Sequence, residues 1–227
     1  MKGPQIKAIL IMLLIFSGLG WWITGGFDIS LPDMPNVKEW FASDKESNNK
    51  KTTTKRSSSA NSSKTGQVID SYKGVKVYYN GNVGNVSGRN TTKDGYNLGL
   101  KYQCVEFGKR FFYEAYGHKM PDSYGHAKDF YNPSLPSGSY NKTRGMYQYS
   151  NGGRDRPKAN DMVIIGGSGT NQFGHLFIIT KVTTDGVEFI QQNPGARNPS
   201  RGTYPLIQSN GSYKIDGKNI MGWLRMA

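Results

Sequence analysis

The sequence predicts an α+β domain in which an N-terminal helix packs on an antiparallel β-sheet, preceded by a transmembrane helix and a disordered linker. Three observations predict it. Residues 8–27 carry no charged side chain. Residues 43–66 are Ser, Thr, Asn and Lys with almost nothing apolar. Beyond them, a single segment of helical period at 103–116 is followed by apolar runs of strand length.

The apolar stretch comes first. Its 20 residues, at ~1.5 Å each, reach about 30 Å, the thickness of a bilayer's hydrocarbon core. Lys2 and Lys7 precede it, and Asp28 and Asp33 follow it. Lysine on the leading side favours a cytoplasmic N-terminus with the rest translocated. Trp21 and Trp22 fall near the far interface, where indoles are favoured. The competing reading of residues 1–27 is a cleaved signal peptide, with small residues at Gly18-Leu19-Gly20. The first reading predicts a single-pass protein of the cell membrane with its C-terminal domain extracytoplasmic; the second predicts a secreted one. Residues 28–66 read as a linker that cannot bury enough apolar surface to offset its ordering entropy. Within it, 31–42 has the pattern of an interfacial helix around Trp40 and Phe41. Residues 67–227 are then one domain of ordinary size.

Composition narrows the class. The chain is 36% hydrophobic and 12% aromatic, with 29 Gly and 14 Tyr, which suits a loop-rich β or α+β domain rather than a helical bundle. The net charge is +13, of which residues 67–227 supply +9 from 20 basic and 11 acidic groups. An excess on the folded part predicts attraction to a polyanion such as nucleic acid, anionic lipid or an acidic wall polymer. The helix is predicted over 103–116, with Cys104, Gly108, Phe111 and Ala115 on one face, Lys109, Arg110 and Glu114 opposite, and Gly117 as its left-handed stop. A strand is predicted at the start of 75–84, loop over 85–100, and a short helix near 126–131. Further strands are predicted at 161–167, 175–183, 186–193 and 220–226, with Asp185-Gly186 turning the middle pair into a hairpin.

Cys104 is the chain's only cysteine, so no internal disulfide can form. It is either a small buried hydrophobe or a reactive group. At the first turn of a helix a thiol feels unpaired backbone N–H groups, which favour the thiolate. An adjacent imidazole would favour it further. Of the three histidines, His118 follows the helix's terminal glycine and His126 lies in a weakly patterned region, whereas His175 heads an apolar strand after Gly174. The hairpin sets residues 191–193 beside the start of that strand, so the amide oxygen of Gln191 or of Asn193 could accept from the imidazole. Glu188 has the opposite parity and faces away. Gln103 is placed to supply an N–H to an oxyanion, with the Cys104 backbone amide as its partner. Arg154 and Arg156, in a basic run with Arg144 and Lys158, and Tyr147 beside Tyr149 are candidates for binding substrate; each also reads as a solvated or packing residue. One cysteine and three scattered histidines fall short of a metal site.

The segments YQCVEFGKRFF, NDMVIIGG, FGHLFIITKV and VEFIQQN resemble, in order, motifs of the CHAP (cysteine, histidine-dependent amidohydrolase/peptidase) family, which has a papain-like fold. The similarity is greatest to the amidase domain of glutathionylspermidine synthetase/amidase enzymes and their wall-cleaving relatives. It spans most of residues 90–225. The resemblance implies Cys104 as nucleophile, His175 as general base and then acid, and Gln103 in the oxyanion hole, with no cofactor. Where the family often carries a carboxylate two residues before an asparagine, this chain has Gln191 and Asn193. The expected function is thiol-dependent hydrolysis of amide bonds in bacterial peptidoglycan outside the cytoplasmic membrane, with the N-terminal helix in the membrane and no nucleic-acid partner. The alternatives are an amidase for a small peptide–polyamine conjugate and a degenerate wall-binding module.

Overall fold

The computed structural model describes residues 63–195 and 198–227. In chain order these form β1 (Val68–Tyr72), β2 (Val75–Tyr78), β3 (Arg89–Thr91), β4 (Asn97–Leu100), α1 (Cys104–Tyr116), a one-turn 3-10 helix at Ala127–Phe130, β5 (Ser139–Asn141) and β6 (Met146–Ser150). They continue through β7 (Met162–Ile165), β8 (His175–Val182), β9 (Gly186–Ile190), β10 (Arg201–Ser209), β11 (Ser212–Ile215) and β12 (Ile220–Arg225). Eight strands make one antiparallel sheet in the order β11-β10-β9-β8-β7-β12-β6-β5. Strands β7 to β11 follow one another as a meander, and β12 returns to lie between β7 and β6.

The predicted fold class is corrected by this architecture. The described residues are mostly β, an eight-stranded sheet and two small hairpins with a single α-helix against one face, rather than the α+β domain expected. Among them no helix is long and apolar enough to cross a membrane. The predicted anchor or signal peptide at 1–27, the 31–42 helix and the linker up to residue 62 lie outside the described residues. The linker's last residues join the domain, since the Gly66 N–H donates to the Tyr79 carbonyl at 2.8 Å.

The physical reason for the extra β-structure is that the sheet curls. After β6, Gly152 donates to the Tyr213 carbonyl and Tyr213 to the Gly153 carbonyl, each at 2.8 Å, so β11 is drawn round to the end of β6. Short Tyr-, Thr- and Ser-rich strands such as β5, β6, β10 and β11 are too polar to announce themselves, but they complete a sheet that is its own second layer. Trp223, Phe177, Phe189, Val163 and Ile215 fill one core between its walls. The other face carries Met162, Ile164, Leu176, Ile178 and Leu224 against Phe107, Phe111 and Phe112 of α1.

Gly108 sets how closely α1 approaches that face. A Cβ there would lie 2.7 Å from Leu176 Cδ1 and 3.0 Å from Met162 Sδ. The polar side of the helix is covered too, contrary to the expectation for Lys109 and Arg110, which are buried. The Lys109 ammonium donates to the Asn97 and Ser123 carbonyls and sits over the Tyr96 ring at 4.9 Å. The β3–β4 hairpin and the segment following α1 lie where solvent was expected. At its far end, Gly117 (φ 67°) donates to the Tyr113 carbonyl at 2.9 Å and His118 to the Phe112 carbonyl at 3.1 Å, closing the helix. Gly108→Ala is expected to destabilise the domain. Overpacking costs about 1–3 kcal/mol, and the gain in helix propensity returns only about 1. Denaturant unfolding of the two proteins checks this; a more stable variant would contradict the close packing.

Candidate active site

The site lies where the N-terminus of α1 meets the start of β8. Gln103, in extended conformation (φ −80°, ψ 162°), precedes the helix, and its side chain makes no cap. The first-turn N–H groups therefore have no intrahelical partner. Cys104 opens the helix and is 9% exposed. The backbone N–H groups of Val105 and Leu176, one from each element, act on its sulfur in the direction that favours the thiolate. The packing of Gly108 on Leu176 fixes that relation between helix and strand.

His175 is half-buried at the first position of β8. It follows Gly174, whose φ of +74° favours glycine and whose added Cβ would strike the Ile165 carbonyl at 2.3 Å. The His175 imidazole lies beside the Cys104 thiol, close enough for each to shift the other's pKa. Its Nε2 lies 2.9 Å from Gln191 Oε1. The Gln191 amide cannot reverse without loss, because its Nε2 donates to the Pro199 carbonyl at 3.0 Å. With the amide so oriented, Gln191 presents an acceptor and His175 Nε2 must carry the proton.

Two opposing effects act on each member of the pair. Burial pushes the Cys104 thiol up, but the His175 charge, its hydrogen bond and the two backbone N–H groups outweigh it and hold the thiol below its ordinary value. Burial pushes His175 down, but the Cys104 thiolate and the hydrogen bonds to Cys104 and Gln191 hold it above. Both shifts act toward thiolate beside imidazolium. The ion pair is lost at low pH when the thiolate is protonated, below the ordinary thiol range. It is lost at high pH when the imidazolium gives up its proton, above the ordinary histidine range. The pH profile of kcat/KM is expected to be a bell between those limits. Gln191→Glu places a negative charge on Nε2 and is expected to move the alkaline limb up by about one pH unit. It also sets an oxygen against the Pro199 carbonyl, so the expected change is in the profile rather than a large gain in rate. An unmoved limb would argue that Gln191 does not orient His175.

Of the other residues singled out by sequence, Asn193 and Gln103 pair with each other instead of reaching the imidazole. Asn193 Nδ2 donates to Gln103 Oε1 at 2.6 Å and to the Val83 carbonyl at 2.9 Å. The reason is backbone: Asn193 has φ 58°, which ends the alternation that would have put it beside Gln191. Gln103 Nε2 in turn donates to the carbonyls of Asn85 (2.7 Å) and Val83 (3.1 Å). Both Gln103 side-chain donors are thus engaged with backbone carbonyls, whereas the expected second donor, the backbone N–H of Cys104, stands at the uncapped start of α1.

The three candidate substrate contacts lie elsewhere. Arg156 Nη2 donates to the Thr183 carbonyl at 2.6 Å, about 25 Å along β8 from His175 at ~3.3 Å per residue. Arg154 is exposed in the same loop, near β11. Tyr147 packs edge-on against Tyr140 at 5.4 Å. It lies on β6, three strands across the sheet from β8, and pairs with Arg225 in β12. His118 Nε2 meets the Arg144 carbonyl at 2.9 Å, and His126 stacks on Phe173 at 4.6 Å. Among the described residues no three His, Cys, Asp or Glu side chains group together as a metal site would require.

Sequence reasoning passed over Gln192, which is fully buried. Its Nε2 donates to Glu106 Oε2 (2.8 Å) and to the Gln103 carbonyl (3.1 Å). Its Oε1 accepts from the Tyr78 amide (2.8 Å) and from Arg110 Nη2 (3.3 Å). Glu106 also pairs with Arg110 Nε at 2.6 Å and accepts from Asn90 Nδ2 at 2.7 Å. One residue thus ties the strand end carrying Gln191 to the first turn carrying Cys104. Its signal was a polar residue at the core-facing parity of a strand end.

Residues 91–193 match the family model described as CHAP domain. A trypanothione synthetase of Crithidia fasciculata is 30% identical over 107 residues, covering 47% of this chain and 16% of that protein. The chain thus spans a small part of that relative's length. Among solved structures, the wild-type endolysin LysIME-EF1 is 20% identical with a TM-score of 0.35, over 63% of this chain and 60% of that one. Ly7917 with the hydrolysing product of MDP is 17% identical with a TM-score of 0.36, over 54% and 53% of the two chains.

Proposed function

We propose, from the premise that this chain carries a CHAP domain over residues 91–193 and is a cysteine hydrolase of the amidase/peptidase kind, that it cleaves amide bonds of bacterial peptidoglycan, outside the cytoplasmic membrane where that polymer lies. The observation that carries the chemistry is the line from Cys104 through His175 to Gln191, with its thiolate–imidazolium pair. The thiolate attacks the amide carbonyl. The oxygen of the tetrahedral intermediate takes up negative charge at the N-terminus of α1, where the Cys104 N–H is free. As the intermediate collapses, His175 gives its Nδ1 proton to the leaving amine, and the acyl group stays on sulfur as a thioester. Water then attacks the thioester with His175 as base, releasing a carboxylic acid and restoring the thiol.

The choice of polymer rests on charge. Residues 67–227 carry a net +9, which attracts an acidic wall polymer and repels a polyamine. A second reading, an amidase for a small peptide–polyamine conjugate, is favoured by the 30% identity to a trypanothione synthetase. The test is to incubate the full chain with purified peptidoglycans of several chemotypes and follow turbidity and released amines, beside a peptide–polyamine amide. The expected result is amine release from the wall by the wild type and none by Cys104→Ala. Turnover of the conjugate alone would favour the second reading, and identical flat traces on all substrates would leave a non-catalytic wall-binding module.

A further inference from the structure

His175 has a second neighbour besides Cys104. It lines a concavity of about 180 Å³ that Cys104 does not line. The walls are the β7–β8 connection, with Ser168, Thr170 and Asn171, and the β11–β12 turn, with Lys218 and Asn219. Most of the polar groups there are committed to holding the loops. Asn171 Nδ2 donates to the Gly174 carbonyl at 2.9 Å and its Oδ1 accepts from the Phe173 amide at 3.1 Å. Asn219 Nδ2 donates to the Gly167 carbonyl at 3.2 Å. The Ser168 and Thr170 hydroxyls lie 3.3 Å apart and share one proton, leaving the other free to donate. Lys218 is exposed and forms no ion pair among the described residues. No Asp or Glu lines the concavity. It offers one positive charge and a hydroxyl donor, which is the complement of a carboxylate.

Mechanism says which part of a substrate arrives there. The imidazole protonates the departing amine, so the leaving residue lies on the His175 side of the cleaved bond. We propose that this concavity is the leaving-group subsite and that Lys218 selects a leaving residue bearing a free carboxylate. The inference rests on the reading of the chain as an amide hydrolase and specifies the substrate class for that site.

The test uses the full chain and two matched stem-peptide amides that differ only in a free carboxylate or a carboxamide on the leaving residue. The wild type is expected to prefer the carboxylate about tenfold in kcat/KM, the size of one charge-assisted hydrogen bond, with the difference in KM. Lys218→Met should abolish the preference and Lys218→Glu should invert it, with far-UV circular dichroism confirming the fold of both. A wild type that cleaves both substrates equally, or a preference that survives Lys218→Met, overturns the inference and leaves the hydrolase reading standing. If neither amide is cleaved, the hydrolase reading fails on these substrates. Binding of the same two peptides to Cys104→Ala, with Lys218 or with Met at 218, then decides the subsite. Tighter binding of the carboxylate that depends on Lys218 supports it, and equal binding overturns it.

Discussion

Cys104→Ala is expected to reduce amide hydrolysis to background, a loss of about 10⁴-fold or more, in a protein that stays folded. The side chain is small and 9% exposed, so its removal leaves little cavity. What is lost is the expected nucleophile, and the helix N-terminus and the imidazole then have no thiolate to stabilise. His175→Ala is expected to approach the same floor, because burial then acts on the thiol without the imidazolium that offsets it. The double variant should be no worse than either single one, since the two act as a unit. Cys104→Ser sharpens the point. It keeps the size and the hydrogen-bonding capacity, yet a hydroxyl is a far weaker acid than a thiol and should not ionise beside His175. Activity within tenfold of wild type in Cys104→Ala would contradict this assignment, whatever the fate of the other variants.

Glu106→Leu is expected to be the most damaging change for stability among those considered, at about 3–5 kcal/mol. The Glu106 and Arg110 side chains are only 1% and 4% exposed. Removing the acid leaves the guanidinium only one carboxylate, that of Glu114 at 3.8 Å, takes the acceptor from Asn90 Nδ2 and takes one of its two acceptors from Gln192 Nε2. Against a total stability of about 5–15 kcal/mol for a domain, that is a large fraction. The same cluster sets the first turn of α1 against the end of β9, so catalysis should fall even where the variant folds. Replacing both partners, Glu106→Leu with Arg110→Met, should recover much of the loss, because no buried charge is left unpaired. Denaturant midpoints of the three proteins measure this; a single-variant cost under about 1 kcal/mol would contradict a buried, mutually dependent pair.

The grouping of Cys104, His175 and Gln191 was legible in the sequence because each part rests on local signals. A helix start marks Cys104, a Gly-His at the head of an apolar strand marks His175, and a tight hairpin carries Gln191 back to it. That turn is seen in the bond from the Thr183 N–H to the Gly186 carbonyl at 2.9 Å. Legibility ends where the backbone departs from its period or where pairing is long-range. The left-handed Asn193 diverts one expected partner of the imidazole to Gln103. Arg156 and Tyr147 precede β7 in sequence, which is all that brings them near the site on local grounds. Their true positions depend on β12 entering between β7 and β6, a pairing no local pattern records. The burial of Lys109 and Arg110 was hidden for a related reason: what covers them comes from distant, very short segments, the Asn97 and Ser123 carbonyls over Lys109 and Tyr78 with Gln192 over Arg110.

Mass spectrometry of the soluble fragments released from purified peptidoglycan tests the central claim most directly. The wild-type chain is expected to yield fragments with a new amine and a new carboxyl at an amide bond, one water added per cut and the glycan backbone intact, and Cys104→Ala is expected to yield none. Fragments cut only in the glycan, or the same amide products from Cys104→Ala, would contradict it.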